Sequence, residues 1–115
     1  MSQQAIAQRR ALLEQELSRY VQILVKEEKP EKVIVFGSLA TGEVGEWSDI
    51  DLVVIKDTQL SYLERLYKIQ ALIQPKVGTD LLYYTPSEFQ KLCQERAFFQ
   101  EEIIAKGKVV YERSN

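Results

Sequence analysis

Leu13, Leu17, Tyr20 and Leu24 recur at spacings of four, three and four residues, and Gln, Glu, Arg and Lys fill many of the positions between them. That period predicts an amphipathic helix over about Ala5 to Lys26, closed before Pro30. KVIVF, Lys32 to Phe36, is β-branched and nearly all apolar until Gly37 and Ser38 interrupt it, which predicts a buried strand and a turn, with a short helix over Leu39 to Gly42. A second strand follows from Asp49 to Ile55. Leu63, Leu66, Tyr67 and Ile73 fit one face of a helix between Leu60 and Ile73, stopped by Pro75 and Gly78. A third strand is expected from about Val77 to Tyr84. Thr85, Pro86, Ser87 and Glu88 form a helix start, with Thr as cap, Pro in the first turn and Glu88 completing a capping box. The predicted helix runs on to Lys106 and stops at Gly107, and KVVYE, Lys108 to Glu112, reads as a short edge strand.

This order predicts an α/β layer fold with helices packed on a small sheet. The short connection between the first two strands permits an antiparallel pair, and the helix between the second and third permits a parallel crossover, so the expected sheet is mixed.

A chain of 115 residues with 45% hydrophobic content fits one domain, residues 1–115, and is too short for a catalytic domain with a separate substrate domain. Fifteen basic against seventeen acidic residues give a formal charge of -2, which offers a polyanion no general attraction, so stable nonspecific nucleic-acid binding is not expected. The absence of histidine removes imidazole catalysis, and a single cysteine, Cys93, leaves no internal disulfide and no multi-cysteine metal site. Chemistry must therefore use carboxylates, hydroxyls, lysines or backbone amides. No apolar run has the length of a signal peptide core or a membrane span, so the expected location is the cytoplasm.

Two acids stand where the second strand begins. Side chains alternate along a strand, so Asp49 and Asp51 are expected on one side, with backbones roughly 6 to 7 Å apart, and Ile50 on the other, in the core. Two such carboxylates repel and raise each other's pKa unless a cation joins them. Mg2+ fits an oxygen-donor site whose coordination phosphates complete. Asp80 opens the third strand in the same way, and if that strand lies beside the second, three carboxylates converge on one sheet end and could hold two metal ions about 3.5 to 4 Å apart. Each feature has an ordinary reading by itself: an acid at a strand start forms turns, D-x-D recurs by chance, and Gly-Ser at a strand end is usually a turn.

Their combination is more specific. Gly37 and Ser38 are followed by ten residues and then Asp49, Ile50 and Asp51, with KVIVF before and LVVI after. This G-S-x10-D-x-D pattern resembles the signature of the DNA polymerase β-like nucleotidyltransferase superfamily, and more narrowly the minimal nucleotidyltransferases, over roughly Val33 to Phe89. The resemblance implies that Gly37 and Ser38 contact the β and γ phosphates of a nucleoside triphosphate, that Asp49 and Asp51 hold metal, and that Asp80 is the third acid, helping to hold the catalytic metal and to draw the proton from the attacking hydroxyl. It also implies transfer of a nucleoside monophosphate, AMP from ATP, with Mg2+. Minimal members pair with a small helical HEPN protein as antitoxin to a toxic RNase, and some attach AMP to a tyrosine of that partner. The alternative is a module of this fold that neutralises its partner by docking alone.

The loop departs from the commonest family pattern, G-S-x-A-R-G, because Thr41 stands at the arginine position and Glu43 and Glu46 add negative charge. Those glutamates are expected in solvent, and Trp47 as a packing anchor for the loop rather than a platform for a base. In the last helix, Phe89, Leu92, Cys93 and Phe99 can face the core while Phe98 and Ile104 fall outside that stripe, surface that a dimer, a partner or the fold's own wrapping would cover.

Overall fold

The computed structural model describes residues 2–114. Helix α1 (Gln3–Ile23) is capped by the Ser2 side chain, which accepts from the Ala5 amide, and passes into a π-helical turn over Leu24–Glu28. Lys29 then adopts a left-handed conformation and the chain enters β1 (Lys32–Phe36). A four-residue helix, α2 (Ser38–Thr41), and a loop lead to β2 (Ile50–Ile55). Helix α3 (Tyr62–Ile73) opens on a complete capping box, Ser61 with Glu64, and is followed by β3 (Thr79–Tyr84). Helix α4 (Pro86–Glu95) opens on the expected box of Thr85 and Glu88. After a break comes a π-helical segment, Phe99–Ala105, and the edge strand β4 (Lys108–Glu112).

The strands lie in the order β3-β2-β1-β4. β1 is antiparallel to both β2 and β4, and β2 is parallel to β3, so the sheet is mixed as the connection lengths require. Strand alternation divides the core between the two faces. Val33 and Val35 of β1 and Ile50, Leu52 and Val54 of β2 pack with Leu13, Tyr20 and Leu24 of the first helical region and Ile69 and Ile73 of α3. Ile34, Phe36, Val53 and Ile55 pack on the opposite face with Phe99 and Ile103. The result is a sheet with helical layers on both faces. Among the described residues no helix is long and apolar enough to cross a membrane.

Two helices differ from the sequence expectation. In α3, Leu63 and Tyr67 are exposed, and the inward stripe is instead Leu66, Ile69 and Ile73, at spacings of three and four. Arg65 lies buried beside that stripe, where its guanidinium binds the backbone oxygens of Leu60 and Tyr83 and the Glu88 carboxylate, tying α3 to β3 and α4. The expected last helix is interrupted at Arg96, whose backbone is extended (φ -124°, ψ 118°). An unbroken helix would carry Arg96 and Gln100 onto the core stripe, two turns beyond Phe89 and Cys93. The break resets the phase: Phe99 and Ile103 turn to the core, and Arg96, Gln100, Phe98 and Ile104 turn outward. Phe98 and Ile104 are thus outside the stripe as expected, but through a break that no Pro or Gly marks.

Candidate active site

The register of β2 against its neighbours fixes the centre of the site. Asp51 stands opposite Phe36 of β1 on one side and Asp80 of β3 on the other. Asp51 shares its face with Val53 and Ile55, and Asp80 shares that face with Leu82 and Tyr84, so both carboxylates emerge on the side covered by the last helical segments. Ile50 goes to the other face and is fully buried, as alternation demands. Asp49 lies just outside β2 in the preceding loop.

Gly37 and Gly78 allow the acids to take these positions. Gly37, at the end of β1, has φ 74° and ψ -154°, a conformation essentially confined to glycine, and a Cβ there would clash with the Oδ2 of Asp51. A Cβ on Gly78 would likewise strike the Asp49 carboxylate. Ser38 begins α2, in which the Ala40 and Thr41 amides donate back to the Gly37 carbonyl, each at 3.1 Å.

The electrostatics single out Asp51. Its pKa is pushed up to about 6, first by burial, then by a hydrogen bond and the charge of Asp80, and least by the charge of Asp49. The stronger neighbour of Asp51 is therefore the residue across the strand pair, not the one two positions earlier in the chain. Two neighbouring carboxylates are eased by a shared proton or a cation between them, and their hard oxygen donors suit a divalent ion of the Mg2+ type. Asp49 is differently engaged: its Oδ1 lies 3.6 Å from the Arg9 guanidinium, and Arg9 Nε donates to the Ser48 carbonyl at 2.9 Å. Among the described residues no group of three acids is close enough to form a ready-made metal cage. Asp51 and Asp80 meet, whereas Asp49 stands beside them, held by Arg9.

Two clefts open from this centre. One, of about 440 Å³, is lined by Gly37, Ser38, Thr41, Glu43, Glu102 and Lys106. The other, of about 470 Å³, exposes Asp51 and Asp80 next to Phe36, Tyr84, Phe98 and Phe99. A further cleft of about 440 Å³ lies by Glu31, Lys32, Phe89 and Arg113 and contains neither the four motif residues nor Asp80.

Over Val33–Phe89 the strand-turn-strand arrangement thus carries Gly37, Ser38, Asp51 and Asp80 at one sheet end. The family described as Polymerase beta, Nucleotidyltransferase matches residues 18–115. The chain belongs to that family. The nucleotidyltransferase fold extends to solved structures of low identity. A Sulfolobus solfataricus protein provisionally described as a nucleotidyltransferase superposes with a TM-score of 0.68 at 15% identity, over 95% of this chain and 88% of the other. A toxin-antitoxin structure with AMP-PNP gives 0.53 at 20% identity, over 84% of this chain and 73% of the other. No curated protein matches the sequence significantly.

Sequence reasoning missed two features of this nucleotidyltransferase domain. Arg9 and Arg10 reach from α1 to the loop before β2, Arg10 donating to the Gly42 carbonyl at 2.7 Å. An Arg-Arg pair on a polar helix face gives no sign of such a reach. Lys106 lines the same cleft as Gly37 and Ser38 from 68 residues further along the chain than Ser38. The expectation for Trp47 is overturned: its side chain is 84% exposed, because Val44, buried at 6%, and the two arginines already hold the loop.

Proposed function

We propose that this nucleotidyltransferase domain transfers a nucleoside monophosphate, AMP from ATP, to a hydroxyl of a protein partner with Mg2+, and that it serves as the antitoxin of a pair with a small helical HEPN-type protein. The observation that carries the reading is the contact of Asp51 with Asp80 beside Gly37, in a chain of this family. Gly37 and Ser38 receive the β and γ phosphates. Asp51 and Asp80 hold the divalent ion, and Asp49 joins them by exchanging its contact with Arg9. When bound, that ion supplies charge stabilisation for in-line displacement. Asp80 accepts the proton of the acceptor hydroxyl; the hydroxyl oxygen bonds to the α-phosphorus as its bond to pyrophosphate breaks, and pyrophosphate departs. The cleft beside Phe98 and Phe99 offers the acceptor an apolar approach to the two acids. The toxin-antitoxin structure with AMP-PNP supports a protein partner and an adenine nucleotide.

A second reading, neutralisation by docking without catalysis, is favoured by one observation: Asp49 is engaged by Arg9 and the three acids do not close into a set. Incubation with α-labelled ATP, Mg2+ and the HEPN-type partner separates the two. Label on the partner that disappears with Asp51→Asn supports transfer. Full neutralisation by the parent and by Asp51→Asn alike, with no label on the partner from either, supports docking and removes the enzymatic reading.

A further inference from the structure

We propose that Lys106 is the cation that contacts the β and γ phosphates of the triphosphate. The assignment rests on the reading that Gly37 and Ser38 receive those phosphates, and it adds a residue that the G-S-x10-D-x-D motif does not contain. The first support is register. β4 pairs with β1 through Ile34 opposite Val109 and Val35 opposite Lys108, so the turn just before β4 that carries Lys106 is set beside the end of β1 that leads into Gly37. The turn that delivers Lys106 there is tight: the Gly107 amide donates to the Ile103 carbonyl at 3.1 Å, and a Cβ on Gly107 would strike that carbonyl.

The second support is charge. The cleft that Lys106 shares with Gly37, Ser38 and Thr41 also carries Glu43 and Glu102, so Lys106 is its single cationic lining residue among the described residues. A triphosphate brought against two glutamates needs a compensating cation at the end away from Asp51 and Asp80. The third support is availability. Lys106 Nζ lies 3.2 Å from Glu102 Oε1, one helical turn away, with side chains 56% and 37% exposed. An exposed pair of this kind adds little stability and exchanges readily for a stronger anion. The phosphate replaces Glu102 as the partner of Lys106.

Titration of ATP and of AMP, each with Mg2+, into the full chain tests the assignment. Lys106→Gln is expected to raise the Kd for ATP about tenfold and leave that for AMP unchanged, because AMP lacks the β and γ phosphates; Lys106→Arg is expected to restore most of the ATP affinity. Glu102→Gln, which frees Lys106, is expected to tighten ATP binding a few-fold. ATP affinity unchanged in Lys106→Gln overturns the assignment, as does equal weakening of ATP and AMP, which marks a merely structural role. Weaker ATP binding in Glu102→Gln overturns the exchange. Failure of the unaltered chain to bind ATP removes the triphosphate reading itself and is distinguishable from each of these.

Discussion

Asp51 and Asp80 stand directly opposite one another across the parallel β2–β3 pair, and Asp80 does more than Asp49 to push the Asp51 pKa up. Asp51 is half-buried there and Asp80 is exposed. Burial and the nearby charge of Asp80 make an ionised Asp51 costly unless a proton or a cation is shared.

The pH dependence of the metal-free protein follows. Asp51 titrates near 3.8 when unfolded and at about 6 when folded, so between those values the folded state binds the extra proton. Its contribution to stability is therefore greatest below pH 4 and is lost as pH rises through 6. Thermal denaturation in chelator is expected to show metal-free Asp51→Asn more stable than the parent at pH 7.5, by on the order of 1 kcal/mol after allowance for partial exposure, with the difference shrinking at pH 4.5. Addition of Mg2+ should stabilise the parent and not the variant. An identical pH profile for both chains would show that Asp51 carries no such burden.

Gly37→Ala forces a Cβ against Asp51 and a side chain into a glycine-only conformation. The expected cost is about 1 to 3 kcal/mol of stability from backbone strain, together with loss of triphosphate binding. Gly42→Ala makes the control: φ is 86° there, but the added Cβ meets nothing, so stability should fall by a comparable strain while binding survives. Denaturant melts with ATP titrations on both variants check the pair.

Arg9→Gln removes the ion pair to Asp49 and the bond to the Ser48 carbonyl. The loop from Gly42 to Asp49 should then open more often, giving faster amide exchange over that segment, with α3 and β3 unaffected. Exchange rates in the loop equal to those of the parent would sink the clamp.

Far from the acids, the buried Glu28 carboxylate accepts from the Tyr83 hydroxyl and faces Lys56 and Lys68, at 3.5 and 3.2 Å. Burial and Glu28 both push the Tyr83 hydroxyl up, so it stays a donor at every working pH. Tyr83→Phe leaves that buried carboxylate short of a hydrogen bond and should cost about 1 to 3 kcal/mol, measured by denaturant melts, with the KM for ATP unchanged.

How much of this the chain announces depends on the distance over which each feature is specified. The strands, the Thr85–Glu88 capping box and the mixed sheet follow from local pattern and connection length, and they were legible because alternation, turn residues and caps act within a few residues. The face of α3 was misjudged because Leu63 and Leu66 are equally apolar, and only packing against β3 and the anchoring of Arg65 choose between them. The break at Arg96 was invisible for a similar reason: ERAFFQEE consists of residues a helix accepts, and the interruption is imposed by the need to bury Phe99 and Ile103.

The sequence by itself determined the two-faced character of the second strand and the family to which the chain belongs, and it offered Gly37, Ser38, Asp49, Asp51 and Asp80 as candidates, because alternation and the G-S-x10-D-x-D motif depend on residue type at fixed spacing. The tertiary structure decided which of those residues meet. The parallel register puts Asp51 against Asp80, α1 brings Arg9 to Asp49, and the β4–β1 pairing carries Lys106 toward Gly37. Contacts between residues dozens of positions apart are set by how sheets and helices pack as whole units, and spacing along the chain does not encode them.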